Sequence, residues 1–140
     1  MADPRLDVSV DGVDIETMPA KIDGVTITYS ATAVGGSAGV GLAVNMSASK
    51  TIQLAGDGEP VIGKLLKVES DGIATVQIGG GMTLPGGTGA TLTPGSKIMG
   101  DLLVAAKGYI QTITADAAGA VAGRGMIYDA TTTTAVEVIF

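Results

Sequence analysis

The side chains that could do chemistry in this chain are few and mostly acidic. The sequence contains no His and no Cys, which removes imidazole bases, thiolate nucleophiles, disulfides and the main zinc ligands together. Asp57, Glu59, Asp71, Asp101 and Asp116 remain as acids for paired-carboxylate work. A glycosidase needs two carboxyls held roughly 5 to 10 Å apart beside a cleft that usually presents aromatic platforms. Only Tyr29, Tyr109, Tyr128 and Phe140 are aromatic, so solvated turn acids are the expectation. Asp57-Gly58-Glu59 and Asp129 suggest calcium, yet the EF-hand spacing is missing and Asp-Gly is ordinary turn chemistry. Gly58-Glu59-Pro60-Val61-Ile62-Gly63-Lys64-Leu65 matches the first part of a phosphate-binding loop. Leu65 stands where a magnesium-ligating hydroxyl belongs, and Lys64 opens a strand-like run rather than a helix, so a turn carrying Gly into a strand is expected. Gly36 to Gly41 and Gly79-Gly80-Gly81 lack the strand-glycine-helix setting of a dinucleotide site and read as bends or bulges. Ser96-Lys97 completes no nucleophile motif. Thr131 to Thr134 reads as a β-favouring connector, and Met46, Met82, Met99 and Met126 as fillers of a core short of aromatics.

The elements that would position these residues are short β-rich runs between glycines. Leu6 to Val10 and Val13 to Glu16 alternate across Asp11-Gly12 as a hairpin, and Asp23-Gly24 precedes the β-branched Val25 to Tyr29. Lys64 to Glu69 meets Ile73 to Ile78 across Ser70-Asp71-Gly72. Then come Lys97 to Val104, Tyr109 to Thr114 after Lys107-Gly108, Gly125 to Asp129, and Ala135 to Phe140. About nine or ten strands at this spacing predict an all-β fold, a compact small barrel or sandwich with little helix. The best helix candidate, Thr114 to Ala122, is interrupted by Gly119 and reads better as a turn or loop. Ala31 to Ser49, rich in Gly, Ala and Ser, fits either a flexible excursion or a closely packed small-residue strand pair. Residues 1–6 read as an N-terminal arm and 7–140 as a single β-rich domain. Ala2 to Leu6 is either an arm ordered by a partner or a frayed terminus. The apolar end Val138-Ile139-Phe140 should be a paired, buried strand.

Composition bounds the class further. The chain has 140 residues, of which 22 are Gly and 46% hydrophobic, and a net charge of −6. A mean hydropathy of +0.45 argues against whole-chain disorder. The charges are spread along the chain with no basic stripe, so nucleic acid is not an expected partner. Met1 to Arg5 lacks the basic and apolar regions of a secretory signal, and no stretch reaches the roughly 18 apolar residues of a membrane span. A protein made in the cytosol and soluble there is expected.

From about Lys50 onward the pattern resembles the small capsid cement, or head decoration, proteins of tailed bacteriophages. The residues that carry the resemblance are Gly58 to Gly63 leading to Val68-Glu69-Ser70-Asp71-Gly72 and Ala74-Thr75-Val76-Gln77. They continue through Pro85-Gly86-Gly87, Thr93-Pro94-Gly95-Ser96, and Gly123 to Ile127 leading to Val136 to Ile139. The resemblance does not extend to Ala31–Ser49. It implies a homotrimer bound to the major capsid protein at three-fold and quasi-three-fold junctions on the outer surface of the expanded virion head. There it would resist internal pressure, with the arm residues Asp3, Pro4, Arg5 and Leu6 ordered on the shell. It implies no enzyme activity, no cofactor or metal, no membrane and no small-molecule substrate. Two other classes fit the residues: another virion β-module, such as a tail-tube or fibre piece or a carbohydrate-binding domain, and a small β-fold hydrolase using acids alone.

Overall fold

The computed structural model describes residues 12, 14–88, 91–113 and 124–140. Ten strands lie among them: β1 (Glu16–Ile22), β2 (Ala43–Ala48), β3 (Thr51–Leu54), β4 (Gly63–Val68), β5 (Ile73–Gly79), β6 (Gly81–Leu84), β7 (Ile98–Leu103), β8 (Ala106–Thr112), β9 (Met126–Asp129) and β10 (Val136–Ile139), with one 3-10 turn at Val34–Gly36. The fold is all-β. Strands β1-β3-β2-β4-β5 close into a barrel, β6-β10-β9 form a second sheet, and β7-β8 form a two-stranded ribbon.

Alternation sorts the side chains into two apolar cores. Inside the barrel Ala20, Ile27, Val44, Ile52, Leu65, Val68, Ala74 and Val76 pack together. Beyond its end Met82, Leu84, Ile98, Ile110, Ile127, Val136 and Val138 form the second core, joined by Ala43, Ala55 and Val61 from the barrel side. β10, the end of the chain, is the central strand of its sheet and pairs with β6 and β9, as its apolar sequence demands. The chain passes between the two sheets at Gly79–Gly81. The buried Gln77 amide, 3% exposed, spans this crossing by donating to the carbonyls of Gly79 (3.2 Å) and Gly81 (2.8 Å).

The runs of clean alternation become strands close to their expected limits: β4 and β5 meet across Asp71-Gly72, where Gly72 has φ +83° and the Asp71 carboxylate accepts the Ile73 N–H at 3.1 Å. Other expectations need correcting. Val25 to Tyr29 is not a strand. The Asp23 carboxylate accepts N–H groups from Val25, Thr26 and Ile27, which curls the segment into a turn and overrides its β propensity. Of the described residues in Val13 to Glu16, Asp14 has left-handed φ (+51°) and only Glu16 is in a strand, as the first residue of β1. Lys107-Gly108 is not a turn before β8 but part of it, with Gly108 at φ +98° beneath Leu42. β1, β3 and β6 fall where no strand was expected, β1 because Pro19 and Lys21 disguise its alternation. Leu6 to Val10, Val13 and Thr114 to Ala122 lie outside the described residues.

Ala31–Ser49 is a packed segment that ends in a strand. The Gly41 N–H donates to Leu65 O at 2.7 Å and Leu65 N–H to Leu42 O at 3.0 Å, after which Ala43–Ala48 pairs with both β3 and β4. The glycines here serve proximity: a Cβ at Gly36 would lie 1.9 Å from Val68 O.

The two cores are fixed to each other at Gly100 of β7. A Cβ there would lie 2.1 Å from Gly56 O, so Gly100→Ala must part the Ala55–Pro60 loop from β7. It should lower unfolding free energy by about 2–3 kcal/mol in denaturant titration. Val104, at the β7–β8 turn, is a β-branched residue at φ +61° and 86% exposed. Val104→Gly should raise stability by about 1 kcal/mol, since relief of the left-handed strain exceeds the entropy lost on ordering glycine. A decrease would show that the valine side chain holds the turn.

Candidate functional site

Of the acids singled out in the sequence, Asp57 and Glu59 share one loop, Asp71 lies in the β4–β5 turn, Asp129 ends β9 and Asp101 lies within β7. In the loop between β3 and β4, Glu59 folds back so that its Oε2 accepts the Gly56 N–H at 2.7 Å and the Asn45 Nδ2 at 3.1 Å. Its backbone joins the ladder of the neighbouring ribbon: Gly100 N–H donates to Glu59 O at 2.7 Å and Gly58 N–H to Gly100 O at 3.0 Å. The Gln111 amide donates to Asp57 Oδ1 at 2.9 Å and to Gly100 O at 3.0 Å. Asp57 and Glu59 are therefore the two clasps of one loop. Lys64 lies in β4 and donates to Thr83 Oγ1 at 3.2 Å, so the glycine-lysine motif is a turn running into a strand.

Asp101 is 8% exposed, and its Oδ2 has no hydrogen-bond partner among the described residues. Strand alternation turns it to the face opposite Gly100, against Gly87, where a Cβ would stand 2.1 Å from Oδ2. It does not join Asp57 and Glu59. The Oδ1 of Asn45 is likewise buried without a partner. Asp116 and the arm residues Asp3, Pro4, Arg5 and Leu6 lie outside the described residues. Among the described residues no group of three or more Asp or Glu is placed to hold a metal ion.

Ser96 closes a turn on Thr93 O, and Lys97 bridges to Met126. Thr131 to Thr134 is a turn rather than extended chain, with Thr131 donating through both N–H and hydroxyl to Asp129. These bonds, the hydroxyl's first, hold the Asp129 carboxyl below its ordinary value. Met82 and Met99 fill the core as expected, but Met46 and Met126 are over 40% exposed. Arg124 stands 5.9 Å over the Phe140 ring and shares with Asp14, Glu16 and Gly79–Gly81 a cleft of about 310 Å³. A groove of about 690 Å³ follows β1, lined by Met18, Pro19, Met46, Ile73, Lys21 and Lys50 among others. Its lining residues are far apart in sequence, and no spacing rule would have gathered them.

The acid that sequence reasoning passed over is Asp23. It ends β1 and organises the turn that drops Ile27, fully buried, into the barrel. Thr26 extends the arrangement: its hydroxyl donates to Asp23 Oδ2 at 2.7 Å and accepts the Leu54 N–H at 2.9 Å. The available signal was Asp-Gly followed by Thr, an Asx-turn pattern, which competed with a β-branched run.

No protein-family model matches the chain, and no curated protein matches it.

Partial burial pushes the Asp23 carboxyl up, but the hydrogen bonds from Ile27, Thr26 and Val25 outweigh it and hold the pKa below 3.8. Asp23→Ala should cost about 2 kcal/mol at neutral pH. A depressed folded-state pKa gives stability that is complete above the unfolded value and is lost as pH falls through the folded one. The difference between wild type and variant should therefore narrow below about pH 4 in chemical denaturation, and a difference that held constant there would disprove a charge-dependent role.

Proposed function

We propose that the protein is a structural interaction module, a capsid decoration (cement) protein that binds the outer surface of an expanded phage head at three-fold and quasi-three-fold junctions. The observation that carries the reading is the run of turn and strand segments resembling that family, now set on an all-β chain. Gly58 lies within the clasped loop, Ser70-Asp71-Gly72 joins β4 to β5, Pro85 to Gly87 runs beside β8, Thr93 to Ser96 precedes β7, and Val136 to Ile139 is β10. The acids give it further support, since Asp23, Asp57, Glu59, Asp71 and Asp129 are engaged as acceptors for backbone or neighbouring side chains. A protein of this kind works by adhesion. Three-fold repetition of a modest contact holds a lattice because each engaged copy raises the effective concentration of the next site. The homotrimer and the shell-binding arm at Asp3 to Leu6 belong to the same proposal.

Purified protein added to undecorated, expanded heads of a tailed bacteriophage should bind saturably at three-fold positions and raise the temperature at which the heads burst. Deleting residues 1–6 should weaken attachment and leave the oligomer intact in sedimentation. Absence of binding to expanded heads, or assembly of the isolated protein into tubes, would remove the reading.

A further inference from the structure

The barrel is closed unevenly. On one side β1 pairs with β5 along its whole length, from Glu16 opposite Gly79 to Lys21 opposite Ile73. On the other side it meets β3 only at Lys21↔Thr51 and Ile22↔Ile52, through Lys21 N–H to Lys50 O at 2.8 Å and Asp23 N–H to Ile52 O at 3.0 Å. Among the described residues no strand flanks Glu16 to Ala20 on that side. By alternation from Lys21, the groups facing the gap are the N–H and C=O of Thr17 and the C=O of Pro19. The gap is floored by Met18 and bordered by Met46 (42% exposed), and the groove extends across β1 to Ile73 (41% exposed), opposite Lys21. Lys21 and Lys50 stand at one end of it, and neither forms an ion pair within the described residues. In a chain of net charge −6, two cations without an ion-pair partner among the described residues, beside an apolar groove, make a local field of the opposite sign to the molecule as a whole.

We infer that this groove is the docking site for an extended segment of a partner protein in which apolar residues alternate with carboxylates. Each part of the surface asks for one feature of that segment. The edge of β1, which no described strand pairs beyond Lys21 and Ile22, is satisfied by another backbone in extended form, which an acyl chain cannot supply. Met18 and Met46, which share the parity of the buried Ala20 and Val44, take the side chains of one parity, with thioethers adapting to their shape. The lysines take carboxylates at the end of the groove, adding specificity and a salt-dependent association rate. Pro19 withholds one donor from the edge, so backbone pairing alone is insufficient and neutral strands are discriminated against. The inference goes beyond the decoration reading and rests on the groove alone.

The full-length protein, labelled with 15N, should be titrated with the peptide acetyl-Val-Asp-Val-Asp-Val-Asp-Val-amide, with its lysine counterpart, and with dodecanoate. The acidic peptide should shift amide signals of Thr17, Met18, Ala20, Lys21, Met46, Lys50 and Ile73, and the lysine peptide should shift none of them. The double variant Lys21→Glu/Lys50→Glu, altered only at exposed positions, should keep the wild-type melting temperature and bind the acidic peptide roughly tenfold more weakly. No shifts at millimolar acidic peptide, equal binding of the two peptides, or shifts mapping elsewhere would overturn the inference. So would a groove that takes dodecanoate and refuses the acidic peptide, which would assign it to an anionic amphiphile. Shifts at these residues that appear on dilution or concentration of the protein alone, without peptide, would assign it to a second copy of this chain.

Discussion

Backbone approaching backbone with no room for a methyl group is the constraint on which the rest of this structure depends. A chain with four aromatic residues in 140 cannot fill space between layers with large rings, so the layers must come closer together. At Gly36 a carbonyl of β4, and at Gly100 the carbonyl of Gly56, occupy the positions that side chains would take. Close layers also bury polar backbone, and each buried N–H then needs an acceptor. The carboxylates of Glu59 and Asp23 meet that need. Glycine content and acid usage are thus two sides of one packing solution.

The same need constrains the carboxylates that meet it. A general acid or base must be free to gain and lose a proton at a reacting atom. The Asp23 carboxylate is surrounded by donors that favour its ionised form, and the cost of protonating it falls on the fold. Glu59 is bound to both the loop it closes and β2, so a substrate would have to displace structural bonds to reach it. Asp101 is the exception, with Oδ2 buried and unpartnered, but its face of β7 is covered at Gly87 rather than opened to a cleft.

The fold class was legible in the sequence because the alternating runs at β4, β5 and β10 coincide with turn residues that have a single local solution, such as Gly72 at φ +83°. Legibility failed where a local bond outcompeted propensity, as at Val25 to Tyr29, whose β-branched residues answer to the Asp23 carboxylate instead. It failed again where a strand carried a residue foreign to strands. Pro19 lies within β1, a placement tolerated only where the missing N–H faces no partner, and partner positions are not written in a linear sequence. The clasp of Asp57 to Gln111 spans 54 positions, and Met18, Met46 and Ile73 come together only when the barrel closes. Surfaces assembled from such distant residues are invisible to any reading by spacing, whereas turn acids show themselves within three or four residues.

The uneven closure of the barrel follows from the same local chemistry. The hairpin joining β2 to β3 reverses at Ser49 and Lys50, with Lys50 at φ +56°, so β3 begins at the level of Lys21 rather than beside Glu16. β3 is four residues long and β1 is seven. A parallel pairing between strands so offset includes only the end of β1, and among the described residues its first half is an edge on that side. An edge of that kind invites indiscriminate strand addition unless it is blunted. Pro19 lies on it, and the charges of Lys21 and Lys50 stand at its end. Those residues make the seam selective, because a strand that adds there must do without one backbone bond and must bring negative charge to the lysines. The place where the barrel is least completely paired is therefore also where the chain has most control over what it accepts.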